Sequence, residues 1–124
     1  MTAIATVSII IPVINEANNL PHLFANINSL KPMPQQVILV DGGSNDDSIG
    51  IVRSFINELV LGSECKIDWQ VITSKAGRAR QMNAGAALAT GDVLLFLHAD
   101  TRLPIDAIDS ISRAMTLANW GRFD

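Results

Sequence analysis

The chain lacks the residues that would place it in several common classes. It has 1 cysteine, Cys65, in 124 residues. That excludes an intrachain disulfide framework and a thiolate zinc site, and it suits a reducing compartment. Basic residues are outnumbered, 9 Lys and Arg against 12 Asp and Glu, and the net charge of -3 argues against general nucleic-acid binding. The N-terminal apolar run Val7 to Ile14 is too short to span a bilayer, contains Pro12 and has no basic stretch before it, so neither a signal peptide nor a transmembrane segment is visible. The expected location is the cytoplasm, free or peripheral to a membrane. Three motifs are also missing. The loop after the first apolar run reads Pro12-Val13-Ile14-Asn15-Glu16 where a dinucleotide fold would show G-x-G-x-x-G. There is no G-x-x-x-x-G-K-[ST] phosphate loop, and no G-x-S-x-G elbow to supply a serine nucleophile.

What is present fits one domain over residues 1–124, with 48% apolar residues and no repeat, low-complexity segment or linker. Thr6 to Pro12 is β-branched and almost wholly apolar, which predicts a central strand stopped by Pro12. Leu20, Leu23, Phe24, Ile27 and Leu30 recur at helical spacing, with Pro21 in the first turn. Gln36 to Val40 predicts a second buried strand, and Ile49, Val52, Ile56, Leu59 and Val60 a second helix closed by Gly62. Ile67, Trp69 and Val71 alternate with Asp68 and Gln70, the period of a half-exposed edge strand. A third helix from about Ala76 to Ala89 is rich in Ala and Gly, which suits close packing on a sheet. Val93 to Leu97 reads as a strand covered on both faces, and Pro104 opens a fourth helix with Ile105, Ile108, Ile111 and Met115 on one side. Four βα units in succession predict an α/β fold, a mainly parallel sheet with helices on both faces.

A parallel sheet gathers the carboxyl ends of its strands on one edge, where ligands bind. Four polar loops meet there: Asn15-Glu16, Asp41-Gly42-Gly43-Ser44, Lys75 to Arg80, and His98-Ala99-Asp100. His98 and Asp100, two apart at a strand end, would point to one side, and both are ligand types for a divalent cation. The plainer reading is an Asp that caps the next helix beside a His that ends the strand. Lys75, Arg78 and Arg80 add a basic cluster at a helix start. Carboxylates for a metal, with cations and helix amides for phosphates, are what a nucleotide diphosphate needs. Plainer roles stand beside these too. Asp41 before two glycines suits a turn, although Gly42 and Gly43 would also let the backbone approach a ligand. Asp46 and Asp47 complement a helix N-terminus. His22 and one of Arg78 and Arg80 read as surface.

Four stretches together resemble family 2 glycosyltransferases with the GT-A fold: Ser8 to Glu16, Val40 to Asp46, Gly77 to Gly85, and Gly91 to Asp100. The similarity is greatest to small bacterial members whose acidic motif reads His-Ala-Asp, and it covers the nucleotide-binding half only. The resemblance implies transfer of a sugar from a UDP- or GDP-type donor to a hydroxyl acceptor, with inversion. It places Pro12, Asn15 and Glu16 beside the nucleoside, Asp41 and Gly42 at the base, and Arg78 or Arg80 on the base or diphosphate. Asp100 matches the last carboxylate of the family's D-x-D motif, which binds Mn²⁺ or Mg²⁺. His98 stands where the first Asp is usual, to hydrogen-bond ribose or ligate the metal. The acceptor-binding half and its general base are expected beyond residue 124, after Trp120-Gly121-Arg122-Phe123-Asp124. A competing reading is a catalytically incomplete α/β module that assembles as a homo-oligomer or with a partner chain. A nucleotidyltransferase fits less well, because its glycine- and lysine-rich first loop is missing.

Overall fold

A computed structural model describes residues 5–62 and 66–118, so Cys65 and the stretch from Trp120 to Asp124 lie outside the described residues. Strands and helices alternate: β1 (Val7–Val13), α1 (Leu20–Asn28), β2 (Gln36–Asp41), α2 (Ser48–Gly62), β3 (Asp68–Thr73), α3 (Arg78–Ala86), β4 (Val93–Phe96) and α4 (Ala107–Ala118). The strands pair in parallel in the order β3-β2-β1-β4, so the first, second and fourth lie side by side as expected.

Side-chain alternation divides β1 between two layers. Val7, Ile9, Ile11 and Val13 join Leu20, Leu23 and Ile27 of α1, Val52 of α2, and Ile108 and Met115 of α4. On the other face Ile10, Ile38 and Val40 meet Ala84 of α3. Ile9, Ile10 and Ile11 are wholly buried. At about 1.5–3 kcal/mol for each such side chain, they make β1 the spine of the sheet. Helix α3 comes close because Gly85 has no side chain: a Cβ there would lie 2.5 Å from Ile10 Cγ2. At the far side of the other layer Phe24 and Phe55 stack at 4.0 Å, and Trp69 packs edge-on to both. The buried Trp69 Nε1–H has no hydrogen-bond partner among the described residues.

Several expectations need correction. β1 runs through Pro12 to Val13. Ile10 turns its carbonyl to β4 and accepts from Leu97 N–H at 3.0 Å. The Pro12 nitrogen faces the same way, beyond the last β1–β4 pair, Ile10 with Phe96, so its missing hydrogen interrupts no rung. β4 is an outer strand rather than one covered on both faces. Leu94 and Phe96 are 39% and 46% exposed because they point to the α3 side, and α3 lies over β1 and β2. Their main-chain groups face away from β1, since Val93 and Leu97 supply the amides that bond it. α3 starts at Arg78 and ends at Ala86, shorter at both ends than its composition suggests. α4 begins at Ala107, three residues after Pro104, which leaves Ile105 58% exposed and off the packed face. Gly62 is the last residue of α2 rather than the one after it.

Candidate functional site

The carboxyl edge of the sheet holds a cleft of about 400 Å³. β1 and its loop supply Pro12, Ile14 and Glu16, the start of α3 supplies Gly77, Arg78 and Gln81, and the segment after β4 supplies His98, Ala99 and Asp100. A space of this size at a sheet's carboxyl end suits a small polar ligand.

Of the two candidate arginines, Arg78 lines the cleft. Its Nη2 lies 3.0 Å from His98 Nδ1. A guanidinium only donates, so Nδ1 accepts and the ring hydrogen sits on Nε2. His98 then offers the cleft a donor and has no lone pair left for a cation. In this arrangement it fits as a hydrogen-bond donor and does not fit as a metal ligand.

His98 and Asp100 follow the strand rather than belong to it, so strand alternation is not what puts them in one cleft; a turn around the buried Ala99 does. That turn is anchored. Arg102 Nη1 donates to Ala99 O and Thr101 O, both at 3.0 Å. Asn26 clamps Leu103 from both sides, Nδ2 to its carbonyl at 2.9 Å and Oδ1 from its amide at 2.8 Å. Asp100 is exposed, with no hydrogen bond or ion pair among the described residues, and α4 starts seven residues later, so it does not cap that helix. Glu16, across the cleft, accepts from Asn19 Nδ2 at 2.7 Å. Among the described residues no group of three His, Cys, Asp or Glu side chains is placed to hold a metal. Asp100 alone suits an ion that takes one carboxylate and fills its other positions with phosphate oxygens and water.

Asn15, Asp41, Gly42 and Arg80 do not line this cleft. Asp41, at the end of β2, is only 6% exposed. Its Oδ2 accepts from Gly43 and Ser44 amides at 3.0 Å each, and its Oδ1 from Ser44 Oγ at 2.5 Å. The turn role of Asp41 is therefore real, and it fills three of about four acceptor sites on the carboxylate. Asn15 has a positive φ of 53° and accepts the Asn45 and Asp46 amides on Oδ1 at 2.7 and 3.3 Å. Asp46 ties the same loops: it accepts from Ala17 N–H at 3.2 Å and from the Ser48 amide and hydroxyl. The Ser48 hydroxyl, against a smaller opposing effect of burial, holds the Asp46 carboxyl below the usual carboxylate range. Lys75 and Arg80 are exposed.

The sequence motifs assign Gln81 no role. It is 2% exposed, and its Nε2 donates to Val40 O at 2.9 Å and Val13 O at 3.2 Å. A Cβ on Gly42 would stand 2.7 Å from Gln81 Cδ, so Gly42 leaves room for this amide rather than for a ligand. The signal was a long polar side chain one turn into a helix of small residues.

Comparison with known proteins agrees with this geometry. The family model described as Glycosyl transferase family 2 matches residues 8–117. The undecaprenyl-phosphate 4-deoxy-4-formamido-L-arabinose transferase of Yersinia enterocolitica is 33% identical over 121 residues, covering 95% of this chain and 35% of that protein. A PGL/p-HBAD biosynthesis glycosyltransferase of Mycobacterium bovis is 37% identical over 116 residues, covering 94% of this chain and 40% of that protein. Among solved structures, S. aureus TarS 1-349 superposes with a TM-score of 0.75 at 19% identity, over 92% of this chain and 33% of that one. The mannosyltransferase PcManGT from Pyrobaculum calidifontis, in complex with GDP-Man and Mn²⁺, superposes with a TM-score of 0.73 at 25% identity, over 92% and 32%. The chain thus spans 35% and 40% of the two relatives' lengths. Its sheet order, its cleft at the carboxyl edge and the match over residues 8–117 lead to one assignment: the chain belongs to glycosyl transferase family 2, and it carries the nucleotide-binding half of the GT-A fold.

Proposed function

We propose that this chain forms the nucleotide-sugar-binding domain of a glycosyltransferase that moves a sugar from a UDP- or GDP-type donor to a hydroxyl acceptor. The observation that carries the reading is Arg78, held by His98 in a cleft that also contains Glu16 and Asp100. A guanidinium has five donors, so with one on His98 the rest remain for a diphosphate. His98 Nε2–H would donate to a ribose oxygen. Asp41 has one acceptor site left for a base N–H, and Pro12 and Glu16 form the neighbouring wall, with Asn15 and Gly42 shaping it from behind. Asp100 would hold Mn²⁺ or Mg²⁺, and when bound that ion offsets charge on the departing nucleotide. A GDP-Man and Mn²⁺ complex of one structural neighbour and a UDP complex of another support this ligand class.

Titration calorimetry with UDP and GDP, with and without Mn²⁺, tests the reading. Heat with at least one nucleotide is expected, increased by Mn²⁺ in the native chain and not in Asp100→Ala. Folded protein that gives no heat at millimolar nucleotide would refute it.

A second reading, self-association, draws on the outward Leu94 and Phe96 of β4. No helix among the described residues is long and apolar enough to cross a membrane. Gel filtration separates the two readings: a monodisperse dimer without nucleotide affinity favours assembly.

A further inference from the structure

The start of α3 decides where Arg78 stands, yet nothing at its cap fixes it. Gly77, at the N-cap position, has φ of 131° and no side chain, and among the described residues no side-chain hydrogen bond caps the helix. The next fixed point is Gln81, one turn on and on the same helical face as Arg78. Its amide donates to Val13 O and Val40 O, the carbonyls at the carboxyl ends of β1 and β2. Both bonds are buried, where an amide without partners is costly. The seat is specific, because the amide fills the space where a Gly42 side chain would be.

We propose that Gln81 is a positioning residue for the nucleotide: by bolting the first turn of α3 to the ends of β1 and β2, it holds Arg78 at the cleft and sets the gap to Glu16. The inference rests on the nucleotide reading above. Gly42 and Gln81, 39 positions apart in the sequence, act as one unit, the glycine giving up its side chain so that the amide can sit.

The test measures nucleotide affinity and thermal stability together in four proteins: native, Gln81→Met, Arg78→Ala, and the double variant. Met keeps most of the volume and donates nothing, so the fold survives with a lowered Tm. With the nucleotide the native chain prefers, Gln81→Met is expected to weaken binding by about tenfold, or 1.4 kcal/mol. Arg78→Ala should cost about tenfold in the native background and under about threefold on top of Gln81→Met, because a misplaced arginine has less to lose. Gly42→Ala, which drives the amide from its seat without touching its chemistry, should reproduce the affinity loss. A solely structural Gln81 would lower Tm and leave the affinity of the folded protein unchanged, with the two losses additive, and that result overturns the proposal. If the native chain binds neither nucleotide, the functional reading falls and this proposal falls with it; native binding with Gln81→Met unaffected sinks the proposal alone.

Discussion

Gly85→Ala gives the sharpest test of how α3 is seated. The added Cβ would lie 2.5 Å from Ile10 Cγ2, 3.1 Å from Val40 Cγ2 and 3.3 Å from Ile10 Cγ1. Ile10 and Val40 are wholly buried in the two inner strands, so neither can step back. The helix must therefore rise from the sheet by about 1 Å to restore ordinary carbon–carbon separation. Overpacking of this kind costs about 1–3 kcal/mol. Replacing Gly by Ala inside a helix returns about 1 kcal/mol of propensity, which offsets part of the loss. Because the clash is with rigid strands, we take the cost from the upper half of its range. The net expectation is about 1–2 kcal/mol of destabilisation, or a fall in Tm of roughly 4–8 °C for a chain of this size. Thermal unfolding followed by circular dichroism reads this directly. Ile10→Ala should relieve the clash, so Gly85→Ala should destabilise the Ile10→Ala background by less than it does the native chain. A Gly85→Ala protein as stable as the parent would refute the close packing of α3 and the account of how Arg78 is held.

Three further expectations follow. Asn15→Ala forfeits two accepted amide bonds and strains a φ of 53°, whereas Asn15→Gly forfeits only the bonds, so urea denaturation should show the alanine variant about 1 kcal/mol less stable than the glycine one. Asp46 titrates lower in the folded chain than in the unfolded one, so its contribution is complete above about pH 4 and is lost as pH falls through the lower folded value. Asp46→Ala should therefore flatten the loss of stability below pH 4, and an unchanged acid limb of the melting curve would contradict the loop network. Leu94→Lys puts a charge on the open strand and should shift any concentration-dependent elution in gel filtration toward monomer, with no change in Tm beyond about 0.5 kcal/mol of stability.

Where burial alone decides, the residues announced the structure. The continuous β-branched run of β1 and β2 belongs to strands with neighbours on both sides, and the alternation around Trp69 to a margin. β4 misled because Val93 to Leu97 has the same apolar character while its position in the sheet leaves two side chains uncovered. Periodicity records which side chains avoid water in the working molecule and not which element shields them. In the cleft, Arg78 and Arg80 could not be separated by composition; two residues along a helix turn them about 200° apart, and only the seat of α3 picks the one that faces in. Asp41 and Asn15 were visible as important residues, but apart from the Ser44 hydroxyl on Asp41 the groups their side chains accept from are main-chain amides, which carry no residue signature. The same reason hid Gln81, whose acceptors are carbonyls of valines.

The Phe24–Phe55–Trp69 cluster has a practical consequence. Trp69 begins near the amino end of β3, opposite Val37, and so lies at the other end of the sheet from the cleft. Its indole, shut among rings with an unbonded N–H, will emit at shorter wavelength than one in water and will shift to the red when α1 and α2 part from the sheet. With Trp120, the chain's other tryptophan, replaced by Phe, Trp69 becomes an optical gauge of folding set away from the cleft, so that loss of ligand and loss of fold can be told apart in one cuvette.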